Sequence, residues 1–240
     1  MKVNYLSKSE MNKSDITYWN EGISCINDTW EQAYRDFETP EQEIKKFTKR
    51  FERLGAHNWD KNGKMVSMFC GRGNGLVALE RLGFKNLYGV DLSPDLLAKY
   101  NGPAKLFLGD CRDLKFKDNS VDFVSIHGGL HHLEKLPDDL EATLKEINRV
   151  LKKGGRFISV EPWLTPFLNT VHFVARNPLL RKMSKKIDAF TTMVELEYPI
   201  YDTWLAQSKE VLSIYDTYFQ TEYKSIGFGK LHFTGFKKII

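Results

Sequence analysis

The sequence predicts a doubly wound α/β fold on a mostly parallel seven-stranded sheet. Three observations lead there. Short apolar runs alternate with amphipathic helical stretches between Lys64 and Pro162; the first run ends in a glycine-rich turn leading directly into a helix; and two of the helical stretches close on glycine, at Gly83 and at Gly154-Gly155. Strands covered on both faces read as continuous apolar runs, and the intervening helices supply the crossovers that parallel pairing requires.

Taken in order, residues 1–63 read as a helical cap. Its clearest piece is "PEQEIKKFTKRFERLG", where Ile44, Phe47 and Phe51 follow 3/4 spacing and Gly55 is a stop. "KMVSMFC" is the first strand and "LVALERLG" a helix with Gly83 at its end. "NLYGVD" is the second strand. Ser93 then caps a helix that has Pro94 in its first turn. "AKLFLGD" and "VDFVSIHGG" are the third and fourth strands. "DDLEATLKEINRVLKKGG" puts Leu140, Leu144, Ile147 and Leu151 on one helical face, ending at the glycine pair, and "RFISVEP" is the fifth strand. Residues 163–218 break the rhythm. They read as a helical, aromatic-bearing lid insertion with a basic run at Arg181, Lys182, Lys185 and Lys186, before two final strands around Gly227 and Gly229. The expected division is therefore a cap (1–63), an α/β core (64–162), a lid (163–218) and the last two core strands (219–240).

Composition narrows the function classes. With 42% hydrophobic and 28% charged residues and a formal charge of +4, the chain reads as an ordinary soluble protein. No apolar run approaches the roughly 18–20 residues that span a bilayer. "MKVNYLSKSEMNKSD" lacks the apolar core of a signal peptide, so a cytoplasmic location is expected. Cys25, Cys70 and Cys111 are an odd number with no Cys-x-x-Cys pair, which argues against a disulfide framework or structural zinc, and no metal is expected. The basic residues are interleaved with acids, so nucleic acid is not an expected partner. The oligomeric state is open.

The turn "FCGRGNGLVALERLG" places Gly71, Gly73 and Gly75 at alternate positions. Glycines there tolerate positive φ and let backbone amides approach a ligand in front of a helix N-terminus. In such sheets ligands bind beyond the carboxyl ends of the strands. Gly73-x-Gly75-x-x-Ala78 with Asp91 closing the next strand also satisfies a dinucleotide fingerprint, so the motif alone leaves the nucleoside open.

The later motifs add a resemblance. Over residues 64–162, and loosely over the last two strands, the chain resembles the class I S-adenosylmethionine-dependent methyltransferases of small-molecule type. That family carries an acid, any residue, then Gly-x-Gly-x-Gly; Gly71, Gly73 and Gly75 match, with Phe69 standing where the acid is usual. The resemblance implies that Asp91 takes the ribose hydroxyls and Leu92 packs on adenine. It also implies that Asp110 accepts the adenine amino group, that the Cys111 amide meets a ring nitrogen beside Arg112, and that His127 lines the methionine arm through its backbone. S-adenosylmethionine is the implied cofactor, held by 69–75, 91–92, 110–112 and 127–128.

Methyl transfer from a sulfonium requires alignment of a nucleophile and, for hydroxyl acceptors, removal of a proton. Histidine suits that removal near neutrality, which makes His127 and His131, with His132 beside them, the candidate bases; the same residues equally suit packing and cofactor contact. "HGGL" lacks the Pro-Pro tetrad of adenine and glutamine amino-methyltransferases, and Cys111 lies on the wrong strand for a cytosine C5 nucleophile. The expected activity is therefore methylation of a hydroxyl or carbon on a small-molecule, sugar or lipid-linked acceptor. A nicotinamide-dependent oxidoreductase and a non-catalytic nucleoside-binding relative are the alternatives. "TPFLNTVHFVARNPLLRKMSKKI" sets an apolar stripe (Phe167, Leu168, Val171, Val174) beside basic residues, which suits either a lid packed on the sheet or a surface for a lipid-linked or anionic acceptor and peripheral membrane contact. Trp163, Phe190, Tyr198, Tyr201, Trp204 and Tyr215 are an aromatic pocket or a small core, and Tyr18 and Trp19 are placed to close over the cofactor.

Overall fold

A computed structural model describes residues 16–20 and 27–239, together with the backbone of two short strands at 4–6 and 22–24. Cys25 and most of the N-terminal polar stretch lie outside the described residues.

The sheet has eight strands in the order β2-β6-β5-β4-β7-β8-β10-β9. Its strands are β2 (Ile16–Tyr18), β4 (Met65–Met68), β5 (Leu87–Asp91), β6 (Lys105–Leu108), β7 (Val121–His127), β8 (Leu151–Pro162), β9 (Phe219–Gly227) and β10 (Lys230–Lys237). All pairings from β2 through β8 are parallel, while β10 runs antiparallel to both β8 and β9. Seven of these strands are those read from the sequence. The eighth, β2, lies inside the stretch read as helical: Ile16, Thr17 and Tyr18 extend the edge by pairing with Leu106, Phe107 and Leu108. Two further strands, β1 (Asn4–Leu6) and β3 (Gly22–Ser24), pair only with each other.

The strand order reverses on either side of β4, so β4, β5 and β7 open a crevice at their carboxyl ends, where such sheets hold ligands. Two apolar cores fill the two faces. One holds Ile44 and Phe51 of α2 (Pro40–Arg53), Leu76 and Leu79 of α3 (Asn74–Arg81) and Leu97 of α4 (Pro94–Leu97). The other holds Leu140, Leu144 and Ile147 of α5 (Asp138–Val150), Trp204 and Leu205 of α9 (Ile200–Ala206), and Val211 and Tyr215 of α10 (Ser208–Tyr218). Burying a Leu, Ile or Phe side chain stabilises the fold by roughly 1.5–3 kcal/mol relative to leaving it exposed. The two faces together therefore fix the crevice rigidly.

Local signals set the helix starts. Thr39 and Gln42 form a reciprocal capping box ahead of Pro40 in α2. The Ser93 hydroxyl accepts from the Leu96 amide at 3.3 Å, with Pro94 in the first turn. The end of α5 differs from expectation. It stops at Val150, and Leu151 is already extended opposite Val121; Gly154, at φ 77°, turns a bulge inside β8 instead of ending a helix.

The lid consists of α6 (Pro166–Ala175), α7 (Pro178–Met183), α8 (Lys185–Glu197), α9 and α10. It is tied to α1 (Asp28–Phe37): the Trp30 indole donates to Glu197 Oε1 at 2.9 Å, and the Phe37 and Phe190 rings pack at 6.0 Å. Most of the lid aromatics are core, since Trp163, Tyr201, Trp204 and Tyr215 are buried, whereas Tyr198 is exposed.

Candidate active site

The turn after β4 has a register that the glycine count conceals. Left-handed backbone falls at Phe69 (φ 51°), Gly71 (φ 52°) and Gly73 (φ 79°), whereas Gly75 is an ordinary residue inside α3. The alternating positions are therefore 69, 71 and 73, two residues earlier than the three glycines. Phe69 stands at a glycine position, and the position read as the acid's moves back to Ser67, inside β4. A bulky side chain in the left-handed region costs about 1–2 kcal/mol. Packing offsets this cost: the Phe69 ring lies directly over Gly129, where any Cβ would overlap it, and joins the core on the α5 face.

Asp91 ends β5 inside the crevice. Its Oδ2 accepts from the Gly71 amide at 2.8 Å and its Oδ1 from the Ser93 amide at 2.9 Å. One carboxylate thus ties the glycine turn to the second strand, and each oxygen keeps a further lone pair for a ligand hydroxyl. Burial pushes its pKa up while those amides pull it down. Space in front of Gly71 is open, because a Cβ there would meet nothing nearer than Leu96 at 4.0 Å. Leu92 is half-buried beside it.

Asp110 is held by its neighbour. Arg112 Nη2 lies 2.6 Å from Asp110 Oδ2, and Arg112 Nη1 reaches Asp139 at 2.7 Å. Desolvation raises the Asp110 pKa, but the Arg112 contacts outweigh it and hold the carboxyl below its ordinary range. Arg112 therefore reaches the site by positioning Asp110. The Cys111 side chain points away, to Thr143 of α5 at 3.4 Å, and burial pushes the thiol up to about 12. Its amide is the part left to meet a ligand. The Trp19 ring stacks on Phe107 at 4.6 Å, covers Gly109 next to Asp110 and packs against the core, while Tyr18 packs on the opposite face.

The N-terminal helices grip the glycine turn. Glu31 of α1, almost wholly buried, pairs with Arg72 and, at 2.9 Å, with Lys99. The Arg72 guanidinium also lies 4.2 Å from the Tyr34 ring. Asn74 donates to Glu43 of α2 at 2.7 Å.

The three histidines separate. His127 is stacked between Phe51 at 4.5 Å and Phe47 at 5.2 Å, with both ring nitrogens buried and unpartnered. Burial, reinforced by Arg50, holds it neutral. With no nitrogen open to a substrate, the expectation of His127 as a base is corrected; only its backbone, at the end of β7, borders the crevice. His131 is different. Its Nδ1 lies 2.9 Å from Oε2 of Glu161, a fully buried carboxylate of β8 whose Oε1 accepts from the Gly129 and Leu130 amides at 3.0 and 3.1 Å. Its Nε2 faces Glu197 Oε2 across 3.9 Å, beyond hydrogen-bonding reach. Burial lowers His131 to about 4 and raises Glu161 to about 7. His132 is exposed beside it, ring centroids 4.1 Å apart. Donor atoms of His131, His132 and Glu197 lie within 4.8 Å of one another, a set that could also hold a divalent cation.

Residues 67–159 match the family described as a methyltransferase domain. The chain is 34% identical over 139 residues to a demethylmenaquinone methyltransferase of Staphylococcus aureus strain MRSA252, an alignment covering 52% of this chain and 56% of that protein. It spans about half the length of the curated relatives it matches. In fold it is similar to the PH0226 protein of Pyrococcus horikoshii OT3 (TM-score 0.65, 21% identity, covering 89% of this chain and 100% of that one). It is also similar to a SAM-dependent methyltransferase of Aquifex aeolicus (TM-score 0.56, 12% identity, 89% and 100% covered).

Over residues 67–159 the chain is similar to methyltransferase domains.

S-adenosylmethionine is the cofactor that this likeness implies, and the crevice has the features to receive it. Asp91 has spare acceptor capacity, the space over Gly71 is open, and the Asp110–Cys111 corner stands at the end of β6. Two residues near the crevice escaped sequence reasoning. Glu161 carried a signal, as the lone acid in the apolar run "RFISVEPW". Glu197 carried none, because its place at His131 depends on α1 and α8 meeting.

Proposed function

We propose that the chain methylates an oxygen or carbon of a small-molecule acceptor, and that the acceptor is a lipid-linked or quinol-like molecule rather than a nucleic acid. The observation that carries the reading is the Glu161–His131 pair at the carboxyl ends of β7 and β8. When bound, S-adenosylmethionine supplies a methyl group already activated on sulfonium.

The residues that would hold the cofactor are Asp91 at the ribose, Leu92, Asp110 and the Cys111 amide at the adenine, and the 69–73 turn with the His127 backbone at the methionine arm. Around them the chain's own groups have three tasks. Ionised Glu161 accepts from His131 Nδ1–H, which fixes the tautomer with Nε2 unprotonated. His131 Nε2 then takes a proton from an acceptor hydroxyl, or from the hydroxyl that activates a ring carbon, in the gap before Glu197. The Trp30 indole, donating to Glu197 Oε1, holds the carboxylate that walls the far side of that gap. The identity with a demethylmenaquinone methyltransferase supports a quinol-like acceptor. Hydride transfer would use such a pair equally well, and the match of residues 67–159 to a methyltransferase domain is what favours methyl transfer over it.

The test is transfer of radiolabelled methyl from S-adenosylmethionine to demethylmenaquinol and to the lipid and aqueous fractions of a cell extract. Label in the organic phase, lost in Glu161→Gln while calorimetric S-adenosylhomocysteine affinity is kept, is the expected result. Label confined to aqueous products would overturn the acceptor class. Tight cofactor binding with no labelled product in any fraction would overturn catalysis.

A further inference from the structure

Between Leu164 and Ile187 the lid contains no Asp or Glu, yet it carries Arg176, Arg181, Lys182, Lys185 and Lys186. Folding engages only some of them. Arg181 is paired with Asp188 and Glu195, whereas Arg176, Lys182 and Lys185 are exposed and, among the described residues, have no ion-pair partner. Large apolar side chains stand out beside them: Phe173 is 82% exposed, Leu179 69% and Met183 81%. Soluble surfaces rarely gather such residues without a use for them.

A second exposed aromatic stands at the start of α6. Phe228, at the β9–β10 turn, is 82% exposed and packs edge-on against Phe167 of α6 at 5.6 Å. It holds a left-handed backbone, φ 48°. A bulky residue is strained there, and this one gains almost no burial in return, so the fold itself does not account for it. A groove of about 690 Å³ opens in the same part of the lid, lined by apolar Leu164, Phe173, Leu180 and Leu205 together with His172, Arg176 and Asp202. His172 Nε2 lies 3.4 Å from the Tyr201 hydroxyl, and the Tyr201 ring meets His131 edge-on at 6.0 Å. The groove wall is thus connected to His131 through the buried Tyr201 side chain.

We propose that the α6–α7 face of the lid, with Phe228, docks on a bilayer rich in anionic lipid. Apolar side chains flanked by unpaired cations are the chemistry of an interfacial surface: the former enter the headgroup boundary and the latter meet lipid phosphates. Charge selects this occupant over an uncharged apolar partner, because an acid-free stretch needs negative charge opposite it. No helix among the described residues is long and apolar enough to cross a membrane, so the contact is peripheral. Docking does not depend on which acceptor is methylated.

The experiment is co-sedimentation of the full chain with sucrose-loaded vesicles of phosphatidylcholine alone or mixed with phosphatidylglycerol, at low and high salt. Binding to the mixed vesicles only, weakening with salt, is the expected result. Phe173→Asp with Met183→Asp abolishes it. Lys182→Gln with Lys185→Gln weakens partitioning about twenty-five-fold, each cation near an anionic surface contributing about fivefold. Melting temperatures of both variants, unchanged from the parent, show that the fold is intact. No sedimentation with either vesicle, equal sedimentation with both, or binding unaffected by the aspartates would each overturn the proposal. So would a dimer in sedimentation velocity that the same aspartates dissociate, since the face would then belong to a second copy of the chain.

Discussion

Phe69 and Gly129 share one volume: the ring of the first fills the space that any side chain on the second would need. The pairing explains how a phenylalanine tolerates a left-handed turn, and it couples the β4 turn to the β7 loop across the floor of the cofactor crevice. Gly129→Ala is expected to destabilise by about 1–3 kcal/mol through overpacking. Phe69→Gly relieves the backbone but empties the ring's volume. In the double variant the alanine no longer meets a ring, so urea unfolding should give a destabilisation smaller than the sum of the singles. Strict additivity would mean that the two residues do not touch.

Asp91→Ala should weaken S-adenosylhomocysteine binding by about 1–3 kcal/mol, the order expected for lost hydrogen bonds to a charged group. The effect has two sources, loss of the ribose acceptor and release of the Gly71 and Ser93 amides that shape the turn. Calorimetry on the parent and the variant measures it. Unchanged affinity would remove Asp91 from the cofactor site.

The Glu161–His131 pair predicts the direction of the pH–rate profile. Burial raises Glu161 to about 7, so its carboxylate forms as pH rises through that value, and only the carboxylate fixes His131 with Nε2 free. Burial also lowers His131, which leaves the ring neutral across that range. The kcat should therefore climb with pH through about 7 and level off above it, while Glu161→Gln gives a low, flat profile. Single-turnover rates in buffers on both sides of neutrality decide this; a rate falling with rising pH would exclude the pair from proton removal.

How much of this was legible depended on whether the cause was local. The strands β4 to β8 stood out because burial on both faces demands continuous apolar runs, and Ser93 with Pro94 announced a helix start through chemistry confined to four residues. β2 was hidden, since three residues in a polar stretch become a strand only where the edge of β6 receives them. The glycine turn was legible as a turn but not in its register. Counting glycines selected 71, 73 and 75, while the backbone puts the left-handed residues at 69, 71 and 73, and the tolerance of Phe69 rests on Gly129, far along the chain. His127 and His131 looked alike in sequence; whether the flanking element supplies two phenylalanines or a carboxylate is a tertiary matter. Glu197 lay furthest from view, because its indole partner Trp30 is 167 positions away.

The same cleft poses a question that chelation answers. His131, His132 and Glu197 could share a divalent cation, and histidine ligands commonly donate their other nitrogen to a carboxylate, as His131 does to Glu161. The two uses exclude each other, because a cation on His131 Nε2 occupies the lone pair that proton removal needs. Glu197 Oε1 is engaged by Trp30, which leaves Oε2 as its free donor. With Nε2 serving the acceptor, dialysis against EDTA should leave methyl transfer unchanged, and metal analysis of the purified chain should find less than one equivalent. His132→Ala should then lower activity only modestly, since that ring makes no hydrogen bond to the pair. Loss of activity on chelation, restored by zinc or manganese and abolished together with metal content in His132→Ala, would reassign all three side chains from proton removal to Lewis-acid binding of the acceptor oxygen.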